Sequence, residues 1–230
     1  MDTKDPAFAD PRPKTRAEQA RDRLLDAILP HVVFDGWNAS TLAAAANDIG
    51  MSEGEVQLYC PSGVLDLIET WSINADNDAK AIIFQSPEGR IRDRITQAVL
   101  TRLDQYAGLE EAAERARARL LLPDGVDRGA RMVWATSDMI WRAIGDQSTD
   151  GNFYSKRAIL SGVYGSTLAI WMSDSDADKA RTRDFLDNRI DNVMQIEKAK
   201  ARWRDMTKDL PDLTGLASKL RYGASRRNGF

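Results

Sequence analysis

The chain has few of the residues that build disulfides and metal sites. Its 230 residues include one cysteine, Cys60, and one histidine, His31. A single cysteine excludes an internal disulfide, and this pair cannot supply the histidine and cysteine ligands of a zinc site. No apolar run reaches the roughly 20 residues that a helix needs to cross a bilayer. We therefore expect a protein of a reducing compartment with no metal, no cofactor and no catalytic cluster.

Cations are missing from one long stretch. Between Leu24 and Ala79 there is no lysine and no arginine, although nine acidic residues lie there, and the whole chain has a formal net charge of -3. Lysine and arginine side chains that neutralise phosphates supply a large part of the affinity of DNA-binding proteins. This stretch is therefore unsuited to DNA, and we expect no nucleic-acid partner.

Apolar residues recur at helical spacing through most of the sequence, and no segment alternates in the manner of a strand. The pattern predicts an all-α fold of about nine to ten helices. Composition and breaks divide it into a disordered tail at 1–13, a three-helix N-terminal unit at 14–72, a larger helical domain at 73–203, and an amphipathic helix with a basic tail at 204–230.

Local signals place several helix ends. Pro30 is expected to disturb or end the first helix, because a proline lacks the backbone N–H that the helix interior uses. Ser52 and Glu55 have the spacing of a capping box for a short third helix. Asp174 or Ser175 is expected to start the ninth helix.

The order of turns and short helices at 36–65 resembles the DNA-binding end of the TetR family of repressors. The matching residues include Gly36, Trp37, Gly50 and Tyr59, which are packing and turn positions. Glu53, however, stands with a second acid at the start of the would-be recognition helix, where a carboxylate repels phosphate. The resemblance implies a TetR-like fold with a vestigial helix-turn-helix.

Aromatic residues cluster between 138 and 175. Phe153 and Tyr154 are adjacent, so they cannot both face the same side of a helix, and Lys156 and Arg157 follow them. An exposed aromatic beside charged residues favours a protein contact, whereas a packed aromatic core is the alternative.

This region is similar to the COQ9 family of ubiquinone biosynthesis accessory proteins. The similarity lies in GDQSTD at 145–150, in the N, aromatic, Tyr154 and KRAIL that follow, and in FDGW at 34–37, VLDLIETWS at 64–72 and FLDNRIDNVM at 185–194. It covers roughly residues 14–198. The chain departs from the family at Phe153, where a tryptophan is usual, and at Gly151, which is usually larger.

The resemblance implies a non-catalytic protein that binds isoprenoid lipids, including quinone intermediates, and assists the di-iron hydroxylase acting on demethoxyubiquinone. Bound isoprenoid quinone or phospholipid is expected as ligand. The hydroxylase contact carried over to this sequence comprises Asp138, Ile140, Phe153, Tyr154 and Arg157. The apolar residues expected to line the lipid cavity are Ile95, Val99, Leu103, Trp134, Trp141, Tyr164, Leu168 and Trp171.

A last amphipathic segment is expected to contact a membrane surface. Its apolar stripe and its cations suit an anionic bilayer, although packing on its own domain is the alternative. The residues are Leu210, Leu213, Leu216, Leu220, Lys219 and Arg221. By analogy with the fold we expect a homodimer through the eighth and ninth helices. The N-terminus has neither an apolar signal region nor the acid-poor character of a transit peptide, so the expected location is the bacterial cytoplasm, peripheral on the inner membrane.

A rival hypothesis remains at this point. In this hypothesis the chain is a TetR-type transcription regulator that binds DNA and a small hydrophobic effector. DNA binding with a steep salt dependence would distinguish it from the lipid-binding hypothesis.

Overall fold

The computed structural model of the protein describes residues 12–85, 89–149 and 151–208. In these ranges the regular structure is helical, as the sequence predicts, with nine helices. They are α1 Arg16–Asp35, α2 Ala39–Asp48, α3 Glu53–Tyr59, α4 Val64–Phe84, α5 Ile91–Asp104, α6 Glu110–Leu120, α7 Val126–Ala143, α8 Gly151–Ser173 and α9 Ala180–Lys208. None of them is long and apolar enough to cross a membrane. The predicted membrane-contact helix, with Leu210, Leu213, Leu216, Leu220, Lys219 and Arg221, lies outside the described residues.

The chain divides into two compact units, residues 1–187 and residues 188–230. The first unit holds α1–α8 and the beginning of α9. The described part of the second unit, residues 188–208, is the remainder of α9. The predicted domain boundary at 72/73 lies inside α4, so no break in the backbone marks it.

The three N-terminal helices follow the predicted signals except at Pro30. Ser52 accepts a hydrogen bond from the Glu55 backbone and Glu55 bonds back to the Ser52 backbone, which confirms the capping box. Pro30 was expected to disturb or end the first helix, and the second alternative is wrong, since α1 continues to Asp35. Leu24, Ile28 and Val32 are fully buried on its inner face. These side chains are buried on both sides of the proline, and their packing stabilises a helix that continues past it.

The ninth helix begins later than predicted. Asp174 does not start α9, but its carboxylate accepts hydrogen bonds from the Thr182 backbone N–H at 2.8 Å and the Thr182 hydroxyl at 2.7 Å. These bonds lower the pKa of Asp174, because they favour the charged carboxylate. Asp174 thus supplies an acceptor for a backbone N–H in the first turn of α9, although it lies before the turn that precedes this helix.

Aromatic contacts connect the N-terminal helices to the larger helices of the first unit. The Trp37 indole donates to the Ala112 carbonyl of α6 at 3.0 Å. Its ring lies 5.8 Å from that of Trp71 on α4, which in turn lies 4.7 Å from the ring of Tyr106. Trp71 and Tyr106 also line the cavity described next, so this series of rings connects α1–α3 to the site.

Candidate functional site: an apolar cavity and the α7–α8 corner

A cavity of about 510 Å³ lies among α4, α6, α7 and α8. This volume is in the range of small-molecule binding sites in proteins. Its wall is mostly apolar, with small residues of α6 and α8 leaving the space open. The lining side chains are Ile68, Trp71, Ser72, Tyr106, Ala113, Ala116, Arg117, Leu120, Leu121, Val126, Gly129, Ala130, Met132, Val133, Thr136, Ser161, Gly162, Tyr164, Leu168 and Met172.

The cavity lining reaches the surface at several points, one of which is the turn between α6 and α7. Two of its lining residues there, Leu121 and Val126, are 63% and 51% exposed, and the neighbouring Leu122 is 49% exposed. We call these three residues the mouth. Apolar side chains gathered at an opening favour a ligand that is itself apolar where it leaves the protein.

A glycine fixes the shape of this turn. At Gly125 a Cβ atom would lie 2.9 Å from the Cα of Leu120, which is closer than real Cβ atoms approach backbone, and 3.0 Å from the Arg119 carbonyl oxygen, which is unusually tight. The absence of a side chain therefore lets the end of α6 approach the start of α7. Leu120 lines the cavity, so this close approach also sets one side of its entrance.

One wall of the cavity is polar and holds a buried guanidinium. Arg102 is fully buried, and its Nε donates to the Asp76 carboxylate at 2.5 Å. Its Nη2 donates to the Tyr106 hydroxyl at 2.9 Å and to the Ser72 hydroxyl at 3.2 Å. Thr136 donates to Asp76 at 2.8 Å. Tyr106, Ser72 and Thr136 all line the cavity, so the Arg102–Asp76 pair lies directly behind its surface.

The charges of this pair persist because each partner stabilises the other. Burial alone lowers the pKa of the Arg102 guanidinium, but the oxygens of Tyr106, Tyr164 and Asp76 raise it above its ordinary value. Burial raises the pKa of Asp76, against the opposing effects of Arg102 and Thr136. Burial likewise raises the pKa of Tyr164, which stays a neutral phenol. The wall therefore contains one neutralised ion pair and neutral hydroxyls.

The second candidate site is the corner where α7 meets α8, and we call it the α7–α8 corner. Its centre is Arg157, whose side chain is 1% exposed. The guanidinium donates to Asp138 on α7 at 2.6 Å and to Asp146 in the connecting loop at 3.2 Å. It also lies 3.5 Å from the centre of the Phe153 ring, a cation–π contact. One buried cation thus joins both helices and the loop between them.

Lys156 supports the same loop from the other side. Its ammonium group donates to Asp146 at 2.6 Å and to Ser148 at 2.7 Å. Burial alone raises the pKa of Asp146, but the hydrogen bonds from Lys156, Ser148 and Arg157 outweigh it and lower that pKa. The carboxylate therefore stays ionised and keeps the corner in one geometry.

Tyr154 is the accessible aromatic of the corner. It is 66% exposed, whereas Phe153 is half-buried, and the two rings meet edge to face at 5.1 Å. The prediction that one of these two aromatics is exposed is confirmed. Ile140 is fully buried and Arg157 nearly so, so neither offers a surface to a partner. Of the five residues predicted for partner contact, Tyr154, Phe153 and Asp138 are accessible at this corner.

The predicted lipid-binding residues are only partly brought together. Tyr164 and Leu168 line the cavity. Val99, Leu103 and Trp171 are buried without lining it, and Ile95 is half-buried. Trp134 is exposed, because it follows Val133, which does line the cavity, and successive helical residues face different directions.

Trp141 lies at the corner rather than in the cavity, and its indole donates to the Lys156 carbonyl at 3.1 Å. Sequence reasoning missed the cavity residues of α6, chiefly Ala113, Ala116 and Leu120. Their signal in the sequence is an apolar stripe at the i, i+3, i+7 spacing of a helix. Large side chains fill a core, whereas small ones leave space for a ligand.

The surface of the helix-turn-helix is acidic, as the sequence predicts. Glu53 and Glu55 are exposed at the start of α3, which carries no basic residue. Arg21 and Arg23, just before the cation-free stretch, donate to the Tyr59 and Ile49 carbonyls. Cys60 is buried, and burial raises the pKa of its thiol to about 11, so it is a packing residue rather than a nucleophile.

The fold matches that of a solved regulator. A TetR transcriptional regulator from Nitrosomonas europaea superposes with a TM-score of 0.62 at 20% sequence identity, covering 77% of this chain and 99% of that one. The predicted TetR-like fold is confirmed. At this identity the likeness concerns architecture alone.

Sequence comparison gives a closer relationship. The chain is 32% identical to the ubiquinone biosynthesis protein COQ9, mitochondrial, of Rattus norvegicus over 187 residues, which is 78% of this chain and 60% of the rat protein. It is 30% identical to the Homo sapiens protein of the same name, of which it covers 59%. The chain thus spans about three-fifths of the length of these relatives.

The predicted location is wrong. We expected the bacterial cytoplasm, but the relatives from Rattus norvegicus, Bos taurus, Homo sapiens and Drosophila melanogaster are all named as mitochondrial proteins. The local character of the N-terminal segment does not record the compartment, so it was insufficient ground for that prediction.

Residues 126–197, which comprise α7, α8 and part of α9, match the COQ9 family model. The α7–α8 corner and one side of the cavity therefore lie within the matched region. The resemblance to the COQ9 family is confirmed: residues 126–197 match the family model, and the chain is similar to COQ9 proteins over about four-fifths of its length.

Proposed function

We propose that this protein is a non-catalytic, lipid-binding accessory protein of ubiquinone biosynthesis. The names of its relatives support the pathway, and the cavity supports the lipid. An isoprenoid quinone intermediate, or a phospholipid in its absence, occupies the cavity and leaves through the mouth. The observation that carries the proposal is an apolar cavity of about 510 Å³ that opens between exposed apolar side chains.

The accessory role is presentation of the bound intermediate to the demethoxyubiquinone hydroxylase. A polyprenyl quinone is most stable in the bilayer interior, so lifting its ring requires an apolar environment that replaces the lipid. The cavity provides this environment. Contact of the C-terminal segment 209–222 with the membrane surface, and a homodimer through α8 and α9, are further parts of the proposal.

The hydroxylase docks, in this proposal, on the α7–α8 corner. Tyr154 supplies an exposed aromatic of the kind enriched at protein interfaces. Arg157 acts behind it, because its contacts to Asp138, Asp146 and Phe153 hold α8 against α7. The partner therefore meets a surface whose geometry is fixed before binding.

Lipid extraction tests the cavity. The chain is expressed in a host that makes ubiquinone, purified without detergent and extracted for mass spectrometry, and the wild type is expected to yield isoprenoid quinone or phospholipid. Gly162→Phe is expected to lose this lipid, since Gly162 lines the cavity and a Cβ there meets no atom within 4 Å. Gly54→Phe, with equal room on the exposed surface of α3, is the matched control. Lipid-free wild type, or equal lipid in wild type and Gly162→Phe, contradicts the proposal.

Co-purification tests the docking surface. Tyr154→Lys is expected to abolish capture of the hydroxylase without a loss of stability, because the side chain is exposed. Phe34→Lys on α1, where the aromatic is 79% exposed, is the control and should leave capture unchanged. Phe153→Lys is a poor probe, since it places a second cation against Arg157. Undiminished capture by Tyr154→Lys rules out this surface.

The acidic surface argues against the alternative of a DNA-binding regulator. Fluorescence anisotropy with operator-length duplexes at low salt tests it directly. We expect none of the salt-sensitive binding that is typical of DNA-binding proteins, because α2 and α3 carry no cation to displace counterions.

A further inference from the structure

The polar wall of the cavity offers hydrogen-bond donors without matching acceptors. A guanidinium can only donate hydrogen bonds, so every group that binds Arg102 must accept. The hydroxyl oxygens of Tyr106 and Ser72 accept from Nη2, and the Asp76 carboxylate accepts from Nε. The use of both hydroxyls as acceptors leaves their protons for other partners.

Those two protons have no acceptor in the described part of the chain. Among the described residues, the Tyr106 hydroxyl and the Ser72 hydroxyl each take part in one hydrogen bond, and each accepts that bond from Arg102. Both residues line the cavity. Arg102 also has a spare donor, since its Nη1 is buried and has no hydrogen-bond partner among the described residues. Buried donors of this kind are costly unless a partner is supplied.

The charge at this wall selects the kind of partner. Arg102 and Asp76 form a closed pair, and the raised pKa of Tyr164 keeps that phenol neutral. A phosphate or carboxylate placed here adds one uncompensated charge in an environment that excludes water. A neutral oxygen that accepts hydrogen bonds adds no charge. It can also accept from the hydroxyl protons of Tyr106 and Ser72, which have no acceptor among the described residues.

We propose that the wall formed by Ser72, Tyr106 and the Arg102–Asp76 pair binds an uncharged oxygen acceptor on the ring of the ligand, such as a carbonyl or methoxy oxygen. The ligand then lies with its oxygenated ring inward and its hydrocarbon chain directed to Leu121 and Val126 at the mouth. The inference rests on the proposed function, which it deepens by assigning the orientation of the ligand and the chemistry of its head.

Calorimetric titration of two ligands tests this assignment. The first is 2,3-dimethoxy-5-methyl-1,4-benzoquinone with a two-unit isoprenoid chain, and the second carries the same chain on an unsubstituted benzene ring. The wild type should bind the quinone more tightly. Tyr106→Phe should weaken quinone binding about threefold to tenfold, the value of one hydrogen bond, and leave the hydrocarbon ligand unaffected.

Two further variants make the result interpretable. Ser72→Ala should reproduce the selective loss, and Arg102 keeps the Ser72 carbonyl as an acceptor in it. Tyr59→Phe on α3 removes a phenolic hydroxyl away from the cavity lining and should change neither ligand. The ratio of the two affinities within one variant is compared, so that a general loss of fold does not imitate the effect.

The outcomes separate this inference from the proposed function. If the wild type binds both ligands equally, and Tyr106→Phe and Ser72→Ala leave the ratio unchanged, the polar wall is not an anchor, although the cavity still holds lipid. If the wild type binds neither ligand and extracts contain no lipid, both the anchor and the proposed carrier function are overturned.

Discussion

Replacing Arg157 by methionine should destabilise the protein because it leaves carboxylates without their buried cation. Removing one partner of a buried ion pair typically costs about 3–5 kcal/mol. Here Asp146 keeps Lys156, and Asp138 is one-quarter exposed and keeps Arg142. We therefore expect the lower end, about 3 kcal/mol, which corresponds to a melting temperature about 6–12 °C lower in a chain of this size.

Urea denaturation followed by circular dichroism measures this loss. Arg142→Met is the matched control, since Arg142 also binds Asp138 but is 61% exposed, and exposed pairs contribute under about 1 kcal/mol. Arg157→Met combined with Asp146→Asn should lose less stability than the two single variants added together, because both changes remove the same Arg157–Asp146 contact. A loss below about 1 kcal/mol for Arg157→Met, equal to the control, shows that the buried cation is not what holds the corner together.

Three further predictions concern acidity, reactivity and helix geometry. The pKa of Asp146 in the folded protein lies below its ordinary value. The carboxylate therefore contributes fully to stability above the ordinary pKa, and this contribution is lost as the pH falls through the folded pKa. Below about pH 4 the wild type should lose its stability advantage over Asp146→Asn in urea denaturation. Cys60, buried and with its thiol pKa raised to about 11, should react with iodoacetamide at pH 7.5 only after denaturant is added, and rapid labelling of the folded chain contradicts this. Pro30→Ala should stabilise the protein by about 1–3 kcal/mol, because it restores a backbone donor inside α1, and lower stability in urea shows that the proline is accommodated without cost.

Much of the fold could be predicted from local chemistry. The capping box at Ser52 and Glu55 and the acidic character of α3 depend on neighbouring residues, which a sequence displays directly. The end of α1 could not be predicted in this way. Pro30 breaks a helix by local rules, but burial of Val32 beyond it is a tertiary effect that the pattern of prolines does not reveal.

The candidate site was predictable as a region rather than as a set of side chains. The adjacency of Phe153 and Tyr154 predicts that one of them is exposed, and it is Tyr154. The ion pair between Arg102 and Asp76 joins residues 26 positions apart on different helices, and no spacing rule connects them. Long-range pairing of this kind appears only once the helices are assembled.

The tight turn at Gly125 has a consequence for how relatives diverge. Even a methyl group at this position displaces Leu120, so the width of the proposed ligand entrance is coupled to a residue that does not line the cavity. A homologue with a bulkier residue here must hold the two helix ends farther apart. Ligand-size preference can therefore drift during evolution through one backbone position, while every side chain inside the chamber stays the same.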